Sequence, residues 1–479
     1  MGKYLSNILK SDVVKNISSM VGATILAQLI GIAILPMLSR IYSPADFGVL
    51  AVYTSVVNIL TMFTGLRYYL AIPLPKQRQY ALALLYVTLA AHVVFVMLLL
   101  LLSFCGGDYI IVTLRLQSLR PYLYLIPLGV FAMGLYTIVT QWAVREGFFS
   151  TIGWTRIVQA LSGNGAKLLI GFAGYKPIGL LFGAIIAQGC GSSTIIKRSL
   201  KEGLSSHISR TDIKRAVIKY RNFPLYDMWT AVINIVGLNM PQLFLSFYYS
   251  LNTVGFYTMA ASLLSLPISL VGSAIGQVFV QRGAQAKYDG TLPIFSEKAY
   301  KLMLTLSIYP IGLISILGPV LFSIFLGKQW GNSGFYAIML FPRVAYSMTY
   351  SPVCMLYAIG DRIKASFYHE VLLTIVMLAG LYLGNLFKNP LVAVLVYAVL
   401  SLIVMVWRMV YILNVVGVKV QNTLKSTLFI FSQTAFFLLL PGIAVLLHLS
   451  TLRIIISAVV SALVYLFFNY KKFHREGYV

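Results

Sequence analysis

Apolar residues along this chain come in blocks of about twenty, broken by short polar turns, and about twenty is the number an α-helix needs to cross the hydrocarbon core of a bilayer. Cutting at the turns predicts about fourteen spans, near residues 18–38, 48–72, 80–102, 121–141, 157–174, 178–196, 223–246, 254–279, 302–326, 335–358, 366–387, 391–413, 426–447 and 454–470. One long polar interval stands apart. Residues 197–222 carry Lys197, Arg198, Lys201, Arg210, Lys214, Arg215, Lys219 and Arg221 against Glu202 and Asp212, with apolar sequence on both sides. This interval reads as a cytoplasmic bridge between two membrane-embedded halves. Within it, Ser209 to Tyr220 has the spacing of a short amphipathic helix, with Ile213, Val217 and Tyr220 on one side. Such a helix suits an anionic inner leaflet, and a solvated tether fits the same residues.

Composition fixes the class. A hydrophobic fraction of 59% and a charged fraction of 10% are far from a soluble domain, in which about a quarter of residues are charged. The expectation is an all-α polytopic membrane protein. The formal net charge of +25 gives no case for a nucleic-acid partner, because short cytoplasmic loops collect Lys and Arg. With the N-terminus inside, cytoplasmic segments hold 26 of the 37 Lys and Arg, the opposite side 7, and the spans 4: Arg67, Lys167, Arg343 and Arg408. An even number of spans then places both termini in the cytoplasm. Cys105, Cys190 and Cys354 lie far apart, which argues for neither a metal box nor a disulfide framework. The polar N-terminus lacks the pattern of a removable signal peptide.

An internal repeat divides the chain. Leu38-Ser39-Arg40-Ile41-Tyr42-Ser43, then Phe47-Gly48, recurs 207 residues later as Leu245-Ser246-Phe247-Tyr248-Tyr249-Ser250, then Val254-Gly255. Trp142-Ala143-Val144 with Glu146 echoes as Tyr357-Ala358-Ile359 with Asp361, at nearly the same offset. Spans one to six and seven to twelve therefore read as parallel copies. The predicted domains are an N-terminal lobe at 1–196, the basic linker at 197–222, a C-terminal lobe at 223–414, and two further helices with a tail at 415–479. The glycine of each copy permits a tight turn and its serine caps the returning helix, so the motif is structural.

The stretch from Pro36 to Gly48 (PMLSRIYSPADFG), followed by Arg67 and Pro73-Leu74-Pro75, resembles the O-antigen and capsular polysaccharide repeat-unit flippases. These are members of the multidrug/oligosaccharidyl-lipid/polysaccharide exporter superfamily. The resemblance implies two pseudo-two-fold six-helix lobes in a V, two added C-terminal helices, and residence in the bacterial cytoplasmic membrane. It also implies alternating access that carries an undecaprenyl-pyrophosphate-linked oligosaccharide to the periplasmic leaflet, with polysaccharide polymerase machinery as a partner, no cofactor and no metal.

Ionisable groups inside spans are costly and mark functional candidates. Arg67, Asp227, Glu370 and Arg408 fall close to the cytoplasmic ends of their spans, where long side chains snorkel or charges pair. Lys167 and Arg343 fall deeper. Lys167 follows Ser162-Gly163-Asn164-Gly165, and Arg156, Gln159, Gly163 and Lys167 share a helix face. Arg343 follows Pro342, with Tyr346, Ser347 and Tyr350 on its side. Lys167, Arg343 and Arg67 are the candidate cations for a diphosphate, since Arg matches phosphate oxygens with two prongs and Lys supplies a point charge. Gln28, Asn164, Asp227, Asn234, Tyr346, Glu370 and Arg408 are candidate cavity or coupling groups. The competing reading for each is a satisfied contact between packed helices. Ser262, Ser265, Ser269, Ser273 and Gly276 form a small-residue stripe that reads as packing.

Three other functions compete. An ion-coupled multidrug antiporter of the same superfamily would bury an acid in the N-terminal lobe, and spans one to six hold none at depth. A peptidoglycan lipid-precursor flippase shares fold and cationic lining. A membrane polymerase or ligase would need a large outer loop and paired acid and base groups, whereas the longest outer interval, 103–120, is short.

Overall fold

The structure, a computed structural model, describes residues 12–113, 115–201, 209–447 and 449–475. Residues 1–11 and 476–479, on which the expected cytoplasmic placement of the termini rests, lie outside these. So do the side chains of Ser269 and Ser273 and the surroundings of Gly276 in the predicted small-residue stripe.

Fourteen long helices appear among the described residues, in the predicted order. They are α1 (Asp12–Ile41), α2 (Pro44–Thr61), α3 (Arg78–Cys105), α4 (Leu125–Arg145), α5 (Phe149–Phe172), α6 (Ile178–Lys201), α7 (Met228–Tyr248), α8 (Leu251–Tyr288), α9 (Leu292–Ile316), α10 (Gly331–Val353), α11 (Ile363–Asn385), α12 (Pro390–Val415), α13 (Val420–Leu446) and α14 (Thr451–Arg475). Eleven of the helical stretches are long and apolar enough to cross a membrane. In α5 and α10, which fall outside those eleven, Lys167, Arg343 and their polar neighbours dilute the apolar run.

Two boundaries differ from the hydropathy reading. The second apolar block ends its α-helix at Thr61 and continues as a 3-10 turn, Thr64–Ala71, in which Gly65, Leu66 and Arg67 all have left-handed φ of 52°, 50° and 60°. A ninth span expected at 302–326 is instead α9 to Ile316 and a separate short helix, Gly318–Leu326. Hydropathy alone does not locate such breaks, because both pieces are apolar.

The chain divides into two compact units, Met1–Gly255 and Phe256–Val479. In unit 1, α7 packs on α2, so contacts carry this unit past the linker to Gly255. Ser43 and Asp46 form a capping box at the start of α2, and Pro44 supplies the fixed φ of the first turn. The repeat motif's glycines serve a further purpose than turning. A Cβ on Gly48 would lie 2.1 Å from the Leu251 carbonyl oxygen, and one on Gly255 would lie 1.9 Å from that of Pro44. Pro44 and Leu251 are equivalent positions of the two copies, so one backbone contact is made twice, reciprocally. The same logic joins α5 to α6: a Cβ on Gly183 would meet the Gly163 carbonyl oxygen at 2.7 Å. Close backbone approach of this kind is how helices associate where lipid removes the hydrophobic drive.

The linker contains a helix, Arg210–Lys219, capped by Ser209 with Asp212. It is docked rather than free. Ala216 is buried among Tyr68, Tyr69, Leu82 and Leu85, with Ile213, Val217 and Tyr220 packed around it. In unit 2, tyrosine hydroxyls fix the last two helices to α9. Tyr300 bonds Thr427 of α13 at 2.7 Å, Tyr309 bonds Ser461 of α14 at 2.8 Å, and Tyr465 donates to the Thr305 carbonyl at 2.8 Å.

Candidate functional site

The six charges singled out from the sequence separate into two kinds. Four of them form ion pairs. Arg67 meets Asp227 at 2.6 Å, and its guanidinium also donates to the Tyr69 hydroxyl at 3.1 Å. The left-handed backbone at 65–67 aims it there, and Gly65 fits because a Cβ would strike Thr88 of α3. Such a backbone persists only where its surroundings over-determine it. Asp227 closes a π turn, Phe223–Asp227, that runs into α7. Burial holds the Tyr69 phenol above its ordinary value, with the Arg67 guanidinium pulling it down and Asp227 pushing it up. Arg67, expected as a cavity cation, thus has its charge met by a carboxylate.

The second pair, in unit 2, is Arg408 with Glu370 at 2.8 Å. Arg408 is only 1% exposed, stacks over the Tyr350 ring at 4.7 Å and donates to its hydroxyl, while its Nε and Nη1 have no partner among the described residues. Around it, the Tyr357 hydroxyl bonds His369 Nδ1 at 2.8 Å and the Arg408 carbonyl at 3.2 Å. This network places His369 and Tyr357 beside the expected Glu370 and Arg408. Sequence reading missed His369, whose only signal was its position next to Glu370 in an apolar helix.

The remaining two cations have no carboxylate partner among the described residues. Arg343 is the thirteenth of the 23 residues of α10 and half-buried. Its guanidinium lies 4.9 Å from the Tyr397 ring centroid, Nη2 approaches Met377 Sδ at 3.9 Å, and Nε is buried without a partner among the described residues. Lys167 is half-buried, its stem pressed against Gly183, with no partner for Nζ among the described residues. Its depth needs correcting. Helix α5 ends at Phe172, two residues before the predicted 174, so Lys167 lies five residues from the helix end. Five residues is about 7.5 Å of rise. Its carbonyl accepts from the Tyr42 hydroxyl at 2.6 Å, level with the turn that joins α1 to α2.

Other predicted positions are placed differently from one another. Gln159 and Gly163 of the predicted polar track face α6, where Gln159 donates to Gln188 at 3.1 Å. Asn164 turns back to the Ala160 carbonyl, and Gln28 is half-buried. Asn234 is exposed on α7. Tyr346 is buried within unit 2 and bonded to Tyr300 at 2.9 Å, which makes it a packing group rather than a cavity wall. Unit 1 also holds a cavity of about 230 Å³ lined by Tyr53, Thr54, Asn58 and Gln188 among others. Asn58 donates to Asn239 at 3.3 Å. None of these was singled out from the sequence, although Thr54 and Asn58 carry the four-residue spacing of a polar helix face.

Comparison with known proteins bears on this arrangement. The chain is 25% identical over 312 residues to the succinoglycan biosynthesis transport protein ExoT of Rhizobium meliloti (strain 1021), a match covering 62% of this chain and 58% of that relative. Among solved structures it resembles the lipid II flippase MurJ in an inward closed conformation, with a TM-score of 0.74 at 14% identity over 95% of this chain and 99% of that one. It resembles more distantly an inward-facing multidrug resistance MATE family transporter of the MOP superfamily, with a TM-score of 0.54 at 11% identity over 89% and 98% of the two chains. These likenesses show a fold shared with membrane transporters. The model of the polysaccharide biosynthesis protein family matches residues 37–334, more than half of the sequence, and the chain belongs to that family.

Proposed function

We propose that this protein is a flippase that moves an undecaprenyl-pyrophosphate-linked oligosaccharide repeat unit from the cytoplasmic to the periplasmic leaflet by alternating access. It delivers its product to polysaccharide polymerase machinery. The observation that carries the reading is Arg343: a guanidinium at the middle of a long helix, with a buried Nε lacking a partner and no carboxylate at salt-bridge distance among the described residues. A cation so placed is expensive unless it faces water or an anion, and a diphosphate supplies matching oxygens. Tyr397 stacks on the guanidinium and holds it in place. Lys167 is the corresponding span cation of unit 1, without a carboxylate partner among the described residues and nearer its helix end.

The family and the named role of ExoT in succinoglycan transport support a saccharide cargo, and the MurJ-like fold supports a lipid-linked one. The multidrug antiporter reading has less behind it, because the carboxylates Asp227 and Glu370 are engaged by Arg67 and Arg408. For the domains, we propose that the repeat divides the chain at the linker, 197–222, with α13 and α14 as an addition.

Replacement of Arg343 or Lys167 by Ala is expected to abolish surface polysaccharide while membrane abundance of the protein stays unchanged. Surface polysaccharide measured by immunoblot, with protein abundance from the same membranes, tests this. Wild-type polysaccharide in both variants would remove the two cations from the mechanism.

A further inference from the structure

Unit 1 holds a further cavity, a basic one, that the transport reading does not use. Its volume is about 650 Å³, and it is lined by Ser150, Thr151 and Trp154 of α5 and Thr194, Lys197, Arg198 and Lys201 of α6. Three cations and three hydroxyls, with no carboxylate among the described residues, line one space. Arg198 is set in position: its Nη1 donates to Thr151 Oγ1 at 2.6 Å, and its guanidinium lies 4.4 Å from the Phe148 ring centroid. Lys197 and Lys201 are exposed, so both ammonium groups reach a ligand at little cost. Apolar surface adjoins the charge. Trp154 is 56% exposed and Leu200 62% exposed. A site with cations and hydroxyls in its lining and an exposed Trp among them, with an exposed Leu next in sequence to Lys201, matches a molecule with a phosphate at one end and acyl chains at the other. The cavity opens where α6 runs into the basic linker, at the helix ends assigned to the cytoplasmic side by the charge count.

We infer that this cavity between the ends of α5 and α6 binds the phosphate headgroup of an anionic phospholipid of the inner leaflet. Basic pockets between membrane helices on the cytoplasmic side recognise such headgroups by point charge and hydrogen bonding, and each Lys or Arg near the surface adds to the attraction. The amphipathic character of the lining selects a lipid over a free phosphate. Occupancy would tie the α5–α6 pair, whose helices touch at Gly163 and Gly183, to the bilayer at this end.

The test uses the full chain purified in a non-ionic detergent, with retained lipid counted by native mass spectrometry after titration with phosphatidylglycerol or phosphatidylcholine. Wild type is expected to retain phosphatidylglycerol selectively, and Lys197→Ala combined with Lys201→Ala is expected to weaken that binding by about thirtyfold. The Lys197→Arg, Lys201→Arg variant is expected to keep it. A charge-matched control, Lys76→Ala with Lys388→Ala, removes two cations elsewhere and is expected to leave binding at the wild-type level. Equal retention of both lipids by wild type, or equal loss in the control, would overturn the inference. Inorganic phosphate that displaces phosphatidylglycerol at equal concentration would also overturn it, since the lining would then read phosphate alone.

Discussion

Glu370 and Arg408 show how a charge acceptable in sequence becomes a constraint once its neighbours are fixed. Arg408 is almost wholly buried, and Glu370 is its carboxylate at 2.8 Å. Removing one partner of a buried pair leaves an uncompensated charge, whereas removing both can be neutral. Glu370 keeps a side-chain exposure of 40%, and solvent discounts the effect. Glu370→Leu is therefore expected to destabilise unit 2 by about 1–3 kcal/mol, and the double variant with Arg408→Met to recover most of it. Thermal unfolding of the detergent-solubilised protein measures both, and an additive double variant would sink the pairing argument. Arg67 makes the complementary point about legibility. Its nearness to a span end was readable, but its left-handed backbone and its bond to Asp227, 160 positions on, are products of tertiary packing that no local pattern records.

At the scale of elements, apolar periodicity revealed the helices and their order, because twenty-residue blocks leave little else for the backbone to form in lipid. It was weakest where an apolar stretch changes conformation without changing polarity, as after Thr61 and at Leu317. The repeat was visible in the sequence, though its physical purpose was not. The glycines were read as turn residues, and the structure uses them to let the first turns of α2 and α8 touch through backbone. Gly48→Ala and Gly255→Ala are each expected to cost roughly 1–3 kcal/mol through overpacking, and to lower the unfolding temperature by similar amounts. Gly22→Ala, where nothing lies within 4 Å of the added carbon, is the control and is expected to be silent. An unchanged unfolding temperature in both Gly48 and Gly255 variants would show that the contact is unimportant. The linker helix is argued the same way. Ala216 is 1% exposed within an apolar cluster, so Ala216→Glu would bury a carboxylate. It is expected to release the helix and to speed tryptic cleavage after Lys214, Arg215 and Lys219 by about tenfold, the factor for about 1.4 kcal/mol of lost docking. Unchanged cleavage would restore the picture of a solvated tether.

For the whole molecule, one number orders the rest: of 37 Lys and Arg, 26 fall on the side expected to face the cytoplasm. The described residues hold fourteen long helices in the order from which that count was made. Relocating Arg67 from a span to the turn after α2 adds another cation to the same side. Cargo, coupling and the path of a headgroup leave no such count behind, because they depend on a few side chains brought together from distant helices. Orientation is directly testable in a background lacking Cys105, Cys190 and Cys354. Thr211→Cys and Gln421→Cys lie in segments assigned to the cytoplasm, and Gln117→Cys and Lys388→Cys in segments assigned to the opposite side; all four positions are exposed. In intact cells a membrane-impermeant maleimide is expected to label the second pair alone, and in broken cells all four. Labelling of Thr211→Cys from outside would invert the protein, turn its basic linker and its lipid-binding cavity to the wrong leaflet, and require a cargo that travels inward.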